Sequence, residues 1–196
     1  MISELFLYDQ DAGLFKNILV NSTVMQGRFF VGDLAKVTAD QVYPCVVCLP
    51  PKSLFTSADF LEETFTFQLF FLTKTGITGQ NQIKSPNPDN LTSLHPVWYD
   101  WKDMKECANN FMRIVKQLIA QKLIDDVPMK SLIAIDTTRL IPQVLRISNA
   151  GTSNASGVSL TFNVILKNNC QTDDYPGLDI DTVTIPDTNL HPLHKH

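Results

Sequence analysis

The cysteines are the residues of this chain most suited by spacing to metal binding or redox chemistry, because two of the four form a CxxC motif. Cys45 and Cys48 lie in the run VYPCVVCLPP, and such a pair binds zinc or forms a redox disulfide in many proteins. The run itself predicts a strand, on which residues three apart face opposite sides. No second ligand pair follows at a zinc-site spacing. We therefore predict free, mostly buried thiols that hold no metal at Cys45, Cys48, Cys107 and Cys170.

Histidine and aspartate are the other candidate catalytic or metal-binding residues. His95 is followed by Pro96 at the start of a predicted helix, which favours a cap or loop residue over a general base. Four aspartates near the C-terminus partly match a calcium loop, but its fixed Gly and terminal Glu are missing. Three terminal histidines could bind metal adventitiously, although we interpret them as a solvated terminus. These seven residues are Asp173, Asp174, Asp179, Asp181, His191, His194 and His196.

Common catalytic motifs are missing from the sequence. Gly76 and Gly79 precede no Lys-Ser/Thr pair, so there is no P-loop, and no serine lies in G-x-S-x-G. We predict no catalytic, cofactor-binding or metal-binding residues, no cofactor, and a protein that is not an enzyme.

The composition is that of an ordinary globular protein. The 196 residues are 44% hydrophobic and 18% charged, with a net charge of -4 and no basic run. This balance disfavours nucleic-acid binding through bulk charge. No apolar stretch approaches the roughly 20 residues of a membrane span, and the N-terminus lacks a signal-peptide pattern. We therefore expect a soluble protein that is not secreted and does not contact a membrane.

Alternation of apolar and polar residues predicts the strands. In residues 139–170 two strand-like runs are joined by a polar loop, residues 148–157, and the second run has its apolar side chains on one face: Val158, Leu160, Phe162, Val164 and Leu166. Residues 63–73 form an aromatic strand, and residues 42–49 form a first core strand that Pro50 and Pro51 end. Phe70 and Leu72 make one end of the aromatic strand apolar on both faces. That end is therefore covered by another element or by another subunit.

Helical spacing predicts one long and one short helix. The long helix starts near Pro96, spans about 40 Å and ends before Asp125 and Pro128. Its apolar stripe is Trp101, Met104, Ala108, Phe111, Val115, Leu118 and Lys122. The short helix begins at Asp11 as a cap and carries Leu14, Phe15, Ile18 and Leu19.

These elements predict an α+β fold, a small antiparallel sheet packed by the long helix and the short N-terminal helix. We expect a single domain of residues 1–170 and an extended C-terminal arm of residues 171–196. Residues 74–96, rich in Gly, Asn, Ser and Pro, form a long loop that either has a binding role or is a tolerated surface insertion.

The order of these elements resembles a known group of virion proteins. An N-terminal helix, the YPCVVCLPP and FTFQLFFLT strands, a helix ending in VKQLIAQKL and the segment VLRISNAGTSNASGVSLTFNVILKNNC follow one another. This order is similar to that of the tail terminator, tail completion and neck-ring (head-to-tail connector) proteins of tailed bacteriophages. The likeness is closest to versions in phages of Bacteroidetes, including crAss-like phages. It covers about residues 11–170, and the loop of residues 74–96 and the arm are longer than in the minimal fold.

The resemblance implies an α+β subunit of a closed hexameric or dodecameric ring between portal and tail. Its partners would be copies of itself, portal or adjacent neck-ring proteins, and tail proteins, through residues 74–96, 148–157 and 171–196. Genome DNA would pass through the channel without specific binding. The protein would be made in the host cytoplasm and located in the virion. Two alternatives remain, a tail terminator that caps the tail tube and a non-catalytic protein-binding adaptor. An enzyme with an unrecognised site would instead need a ligand-sized pocket lined by polar groups.

Overall fold

The computed structural model describes residues 4–36, 42–55, 62–74, 96–124, 126–150 and 155–167. These residues contain four helices and nine strands, and a 3-10 turn at Leu34–Lys36. The helices are α1 (Leu5–Tyr8), α2 (Leu14–Val20), α3 (Pro96–Gln121) and α4 (Met129–Leu132). The strands are β1 (Phe29–Val31), β2 (Cys45–Cys48), β3 (Lys52–Phe55), β4 (Glu62–Lys74), β5 (Leu123–Ile124), β6 (Val127–Pro128), β7 (Ile133–Asp136), β8 (Gln143–Ala150) and β9 (Ala155–Lys167).

Two 13-residue strands, β4 and β9, form the centre of a seven-stranded sheet and pair antiparallel along their whole length. Beyond β4, strands β2 and β3 lie in line, and β1 pairs with β2. Beyond β9, strands β7 and β8 lie in line in the same way. Mixed α and β content is confirmed, but the sheet is larger than predicted, and β1 and β2 are parallel. Strand β1 has only three residues, too few to show the alternation of a strand. Its parallel direction therefore could not be predicted from the sequence.

The main core lies between one face of the sheet and helices α2 and α3. As predicted, Phe65, Phe67, Leu69 and Phe71 of β4 and the even-numbered apolar residues of β9 face it. Phe67 is stacked on its cross-strand partner Phe162, with ring centroids 5.8 Å apart. Phe15 of α2 contacts Phe67 edge-on at 5.2 Å, so the short helix is held against the two central strands.

Helix α3 crosses β9 and β4 and confirms the predicted long helix. Its buried stripe is Met104, Ala108, Phe111, Met112, Val115 and Ile119. The predicted stripe was wrong at its end, because Lys122 lies beyond the helix and is exposed. There the chain turns into the β5–β6 hairpin, with Asp126 at a positive φ of 64°.

A second, smaller apolar cluster lies on the opposite face of the sheet, which we call the open face. It contains Tyr43, Cys45, Val47, Phe70, Leu72, Ala150 and Ala155. Phe70 and Leu72 are therefore buried within the chain itself. This outcome agrees with the first of the two predicted ways of covering this end of β4.

The β8–β9 hairpin confirms the two predicted runs but corrects the loop between them. Strand β8 extends to Ala150 and β9 begins at Ala155, so much of residues 148–157 is strand. Gly157 lies inside the sheet, paired with Leu72 of β4 and with Ile147 of β8. A Cβ atom at this position would lie 1.9 Å from the carbonyl oxygen of Phe71. Close approach of two backbones therefore requires glycine here.

The N-terminal helix also differs from the prediction in its start. Helix α2 begins at Leu14 after Gly13, and Asp11 does not cap it. Instead the Oδ1 atom of Asp9 accepts hydrogen bonds from the backbone N–H groups of Asp11 and Ala12, at 2.9 and 2.8 Å. The elements α1, β3, α4 and β7 were not predicted. Residues 75–95, 151–154 and 168–196, which include most of the predicted loop and all of the arm, lie outside the described residues.

Candidate interaction surfaces

The CxxC pair does not form a common site, because its two thiols lie on opposite faces of the sheet as predicted. Cys48 belongs to the main core and Cys45 to the second cluster. Burial raises the pKa of each thiol to about 12. Burial also raises the pKa of the half-buried Cys107 to about 11, with the nearby carboxylates of Asp103 and Glu106 adding to the shift. All three thiols are therefore protonated at neutral pH, and thiols in that state are poor nucleophiles and poor metal ligands.

A groove of about 680 Å³ runs between residues 21–28 and the outer side of α3. Its charged residues are Arg28, Asp103 and Glu106. The guanidinium of Arg28 donates hydrogen bonds to the carbonyl oxygens of Pro44 and Val24, both at 2.7 Å. These bonds fix one positive charge at the wall of the groove. Burial raises the pKa of Asp103, the neighbouring Asp100 and Glu106 raise it further, and Lys102 opposes them.

Three exposed apolar side chains line this groove or lie next in sequence to residues that line it, and we call them the helix patch. Val20, Val24 and Ile114 have 54%, 41% and 36% of their surfaces exposed. Val24 and Ile114 both line a second lobe of the groove, about 290 Å³ in volume. The helix patch therefore combines exposed apolar area with a concave surface, a combination suited to protein contacts.

The polar half of the open face is held by hydrogen bonds between strands. The hydroxyl of Thr66 donates to the side-chain oxygen of Asn163 at 2.9 Å. Next to it on β7, the Oδ1 atom of Asp136 accepts from the hydroxyl and the backbone N–H of Thr138, at 2.6 and 2.9 Å. The hydrogen bond from the Thr138 hydroxyl lowers the pKa of Asp136 most, and the backbone hydrogen bonds lower it further. Burial of the carboxyl raises the pKa and opposes them. Arg139 extends the network by donating to the hydroxyl of Thr64 at 3.3 Å. This network stabilises the corner where β7 ends.

The two margins of the sheet differ in how their backbone groups are used. At β1 the backbone N–H of Val31 donates to the side-chain oxygen of Gln10 at 3.2 Å. At the other margin, no strand in the described ranges pairs with the outer edge of β8. The indole N–H of Trp101 donates to the carbonyl oxygen of Ile147 at 2.8 Å, and the guanidinium of Arg146 lies 5.3 Å from the centre of the Trp101 ring. One end of β8 is thus held by α3, and the end that starts at Gln143 is not.

Two exposed apolar side chains lie at this end of β8, and we call them the edge patch. Ile141 has 72% of its surface exposed, and Leu145 has 58%. Leu145 pairs with Ser159 and so lies on the open face. An exposed strand edge beside apolar side chains is a common place for another chain to add.

No protein-family model matches this sequence, and a comparison with curated proteins finds no match either. Within the part of the chain that the structure describes, no helix is long and apolar enough to cross a membrane. The same ranges contain no group of three or more His, Cys, Asp or Glu side chains placed to hold a metal ion.

The other residues considered above for catalysis or metal binding fall outside the described ranges. Gly76, Gly79, His95, Cys170 and the aspartates and histidines of residues 171–196 lie outside the described residues. The two patches were not predicted from the sequence, although one signal was present. Val144 and Leu145 are consecutive apolar residues on one strand, so only one of them can face the main core. That residue is Val144, which leaves Leu145 on the other face.

Proposed function

We propose that this chain is a structural subunit of a ring in the neck, or head-to-tail connector, of a tailed phage. It would join the portal side to the tail through contacts between subunits. The observation that carries the proposal is that exposed apolar side chains form two separate patches, the helix patch beside α2 and α3 and the edge patch at β8. Residues 21–28 lead directly into β1, whereas the edge patch is on β8. Four strand spacings separate β1 from β8, roughly 19 Å at about 4.8 Å each.

A ring of identical subunits needs this arrangement. In a head-to-tail contact, one patch of each subunit meets a different patch of the next, and the series closes when the rotation between subunits allows it. Burying the helix patch of one subunit against the edge patch of its neighbour would remove both exposed apolar surfaces from water. The net charge of -4 also suits a channel through which DNA slides, because a basic lining would retain the phosphates.

The finer parts of the proposal concern the polar segments. We assign contacts with neighbouring rings to residues 74–96 and contacts between subunits to the arm, residues 171–196. The resemblance to phage proteins supports a position in the virion after synthesis in the host cytoplasm. A tail terminator that caps the tail tube would use the same ring in a different place.

A monomeric adaptor is the second candidate, and the groove beside α3 favours it. Its volume of about 680 Å³ falls within the range of small-ligand and peptide sites. A fixed positive charge at Arg28 and carboxylates at Asp103 and Glu106 could select a short polar segment of a partner. This function would leave the edge patch without a role.

Light scattering coupled to size exclusion tests the proposal, on the protein alone and mixed with a portal or tail-tube protein. A mass of six or twelve times the 22.0 kDa subunit supports the ring. A 22.0 kDa monomer in both samples contradicts it and favours the adaptor.

Two charge variants test the patches themselves. Val24→Glu and Leu145→Glu should each abolish the ring, whereas the matched charge change Gln117→Glu on α3 should preserve it. Each disruptive variant keeps one intact patch, so an equal mixture of the two should form dimers and no rings. Rings that survive both variants would show that other surfaces join the subunits.

A further inference from the structure

Strand β8 is the longest marginal strand of the sheet in the described ranges, where no strand pairs with its outer edge. It has eight residues, compared with three in β1 and four each in β3 and β7. Its pairing with β9 is irregular between Ile147 and Ala150, and Trp101 binds the carbonyl of Ile147. The regular part of the edge is therefore Gln143–Arg146. The backbone groups of such an edge form a template for one more strand.

The arm contains one segment suited to that template. Residues 178–185 read LDIDTVTI, in which five of the eight side chains are β-branched: Ile180, Thr182, Val183, Thr184 and Ile185. β-branched residues favour the extended backbone of a strand. Gly177 precedes the segment and Pro186 follows it, so both ends carry residues that interrupt strands.

The charges of the arm and of the β8 margin have opposite signs. Residues 171–187 contain five aspartates and no Lys or Arg. The margin from Met129 to Ala150 carries Lys130, Arg139 and Arg146 against a single acidic residue, Asp136. Exposed pairs of this kind contribute little to affinity, but they favour the correct partner and its orientation.

We propose that residues 178–185 of one subunit add as a strand to the β8 edge of the neighbouring subunit, beside Gln143–Arg146. Backbone hydrogen bonds would complete the edge, and the edge patch beside it would keep its contact with the helix patch of the same neighbour. This inference rests on the proposed ring, in which each arm closes the edge of the next subunit. The arm is long enough to reach the β8 edge of its own chain as well as that of a neighbour. Residues 168–177 span up to about 33 Å, whereas Gln143 pairs with Thr161, only about 20 Å along β9 from Lys167.

Disulfide cross-linking between separately labelled chains tests the proposal. One chain carries Leu145→Cys and the other carries a cysteine at one of the positions 180–185, each with Cys107→Ser and Cys170→Ser. Cys45 and Cys48 are buried and do not compete. After mixing and oxidation, we expect a covalent dimer for one or two of the six positions. The same arm cysteines mixed with Gln117→Cys on α3 are the control and should give no dimer.

A proline scan of the arm shows whether the contact is a strand. Because alternate residues of an added strand direct their N–H groups to the edge, proline should weaken ring formation at every second position from 179 to 185. Asn189→Pro, beyond the segment, should have no effect. Equal effects at all positions, or none, would overturn the strand.

The outcomes also separate this inference from the proposed function. A ring without a cross-link at any position overturns the strand exchange and leaves the ring intact. A cross-link within a single chain that carries both cysteines, running as a monomer, also overturns it. Absence of a ring by light scattering overturns the proposed function together with the strand exchange.

Discussion

Replacing Gly157 with alanine should destabilise the fold strongly. The new Cβ atom would lie 1.9 Å from the carbonyl oxygen of Phe71 and 3.1 Å from the Cα atom of Leu72. Both are backbone atoms inside the β4–β9 ladder, so no change of side-chain rotamer can relieve the overlap. The strands must separate locally, which strains the core and breaks one or two ladder hydrogen bonds. Overpacking costs about 1–3 kcal/mol and each unmade buried hydrogen bond a similar amount, so we expect a loss of about 3–5 kcal/mol.

Thermal and urea unfolding followed by circular dichroism measure this loss. For a domain of this size, 1 kcal/mol lowers Tm by about 2–4 °C, so Gly157→Ala should lower Tm by roughly 6–20 °C. Gly32→Ala is the matched control. Gly32 has a positive φ of 151°, but nothing lies within 4 Å of its added Cβ. It should therefore show only the conformational cost, about 1–2 kcal/mol.

The comparison of the two glycine variants can refute the steric reasoning. A Tm for Gly157→Ala within about 2 °C of the unsubstituted protein would correspond to less than about 1 kcal/mol. It would show that β4 and β9 do not approach each other this closely at Phe71. A larger loss for Gly32→Ala than for Gly157→Ala would show that backbone conformation, and not overlap, dominates glycine requirements in this fold.

Three further predictions concern the core, the polar corner and the thiols. Phe67→Ala should cost about 3–5 kcal/mol in urea unfolding, because its ring is fully buried between Phe15 and Phe162; a loss below about 1 kcal/mol would contradict this packing. The pKa of Asp136 is lowered from 3.8, so its contribution is present above that value and is lost as pH falls through the lower folded pKa. Asp136→Asn should therefore destabilise the protein by about 1–3 kcal/mol at pH 7, with a smaller difference from the unsubstituted protein at pH 3; an equal difference at both would refute the charge argument. Iodoacetamide at pH 8 should label Cys45 and Cys48 only after unfolding, because both pKa values are about 12, and mass spectrometry of peptides would show any labelling of the folded chain.

The sequence predicted the elements whose pattern is long and repeated. The β4 alternation from Phe65 to Phe71 and the even-numbered apolar residues of β9 each cover several periods, and α3 covers about seven turns. Over such lengths the pattern of apolar residues distinguishes the period of a strand from that of a helix. The same alternation along a strand predicted that Cys45 and Cys48 lie on opposite faces of the sheet.

The sequence could not predict elements that depend on tertiary pairing. Strands β3 and β7 have four residues each, too few to distinguish a strand from a loop, and they exist because β4 and β9 are long enough to pair with two strands in line. The extension of β8 and β9 into residues 148–157 has the same cause. Ser156 and Gly157 look like turn residues, but the β4 ladder continues to Lys74 and holds them in the sheet. Local composition indicated a loop there, and pairing overrode it.

The long central ladder also determines where interactions with other chains can lie. Because β4 and β9 pair along their whole length with each other, and over much of it with β2, β3, β7 and β8, most of their backbone groups are used within the chain. Exposed apolar side chains remain outside these two strands, among them those of the helix patch and the edge patch. Stability and assembly should therefore respond to different substitutions. Gly157→Ala should lower Tm, whereas Leu145→Glu should leave Tm nearly unchanged and abolish the proposed ring, since a half-exposed side chain contributes little to the fold of the chain. A large Tm loss in Leu145→Glu would mean that the edge patch is part of the subunit's own packing, and the ring would then need another contact surface.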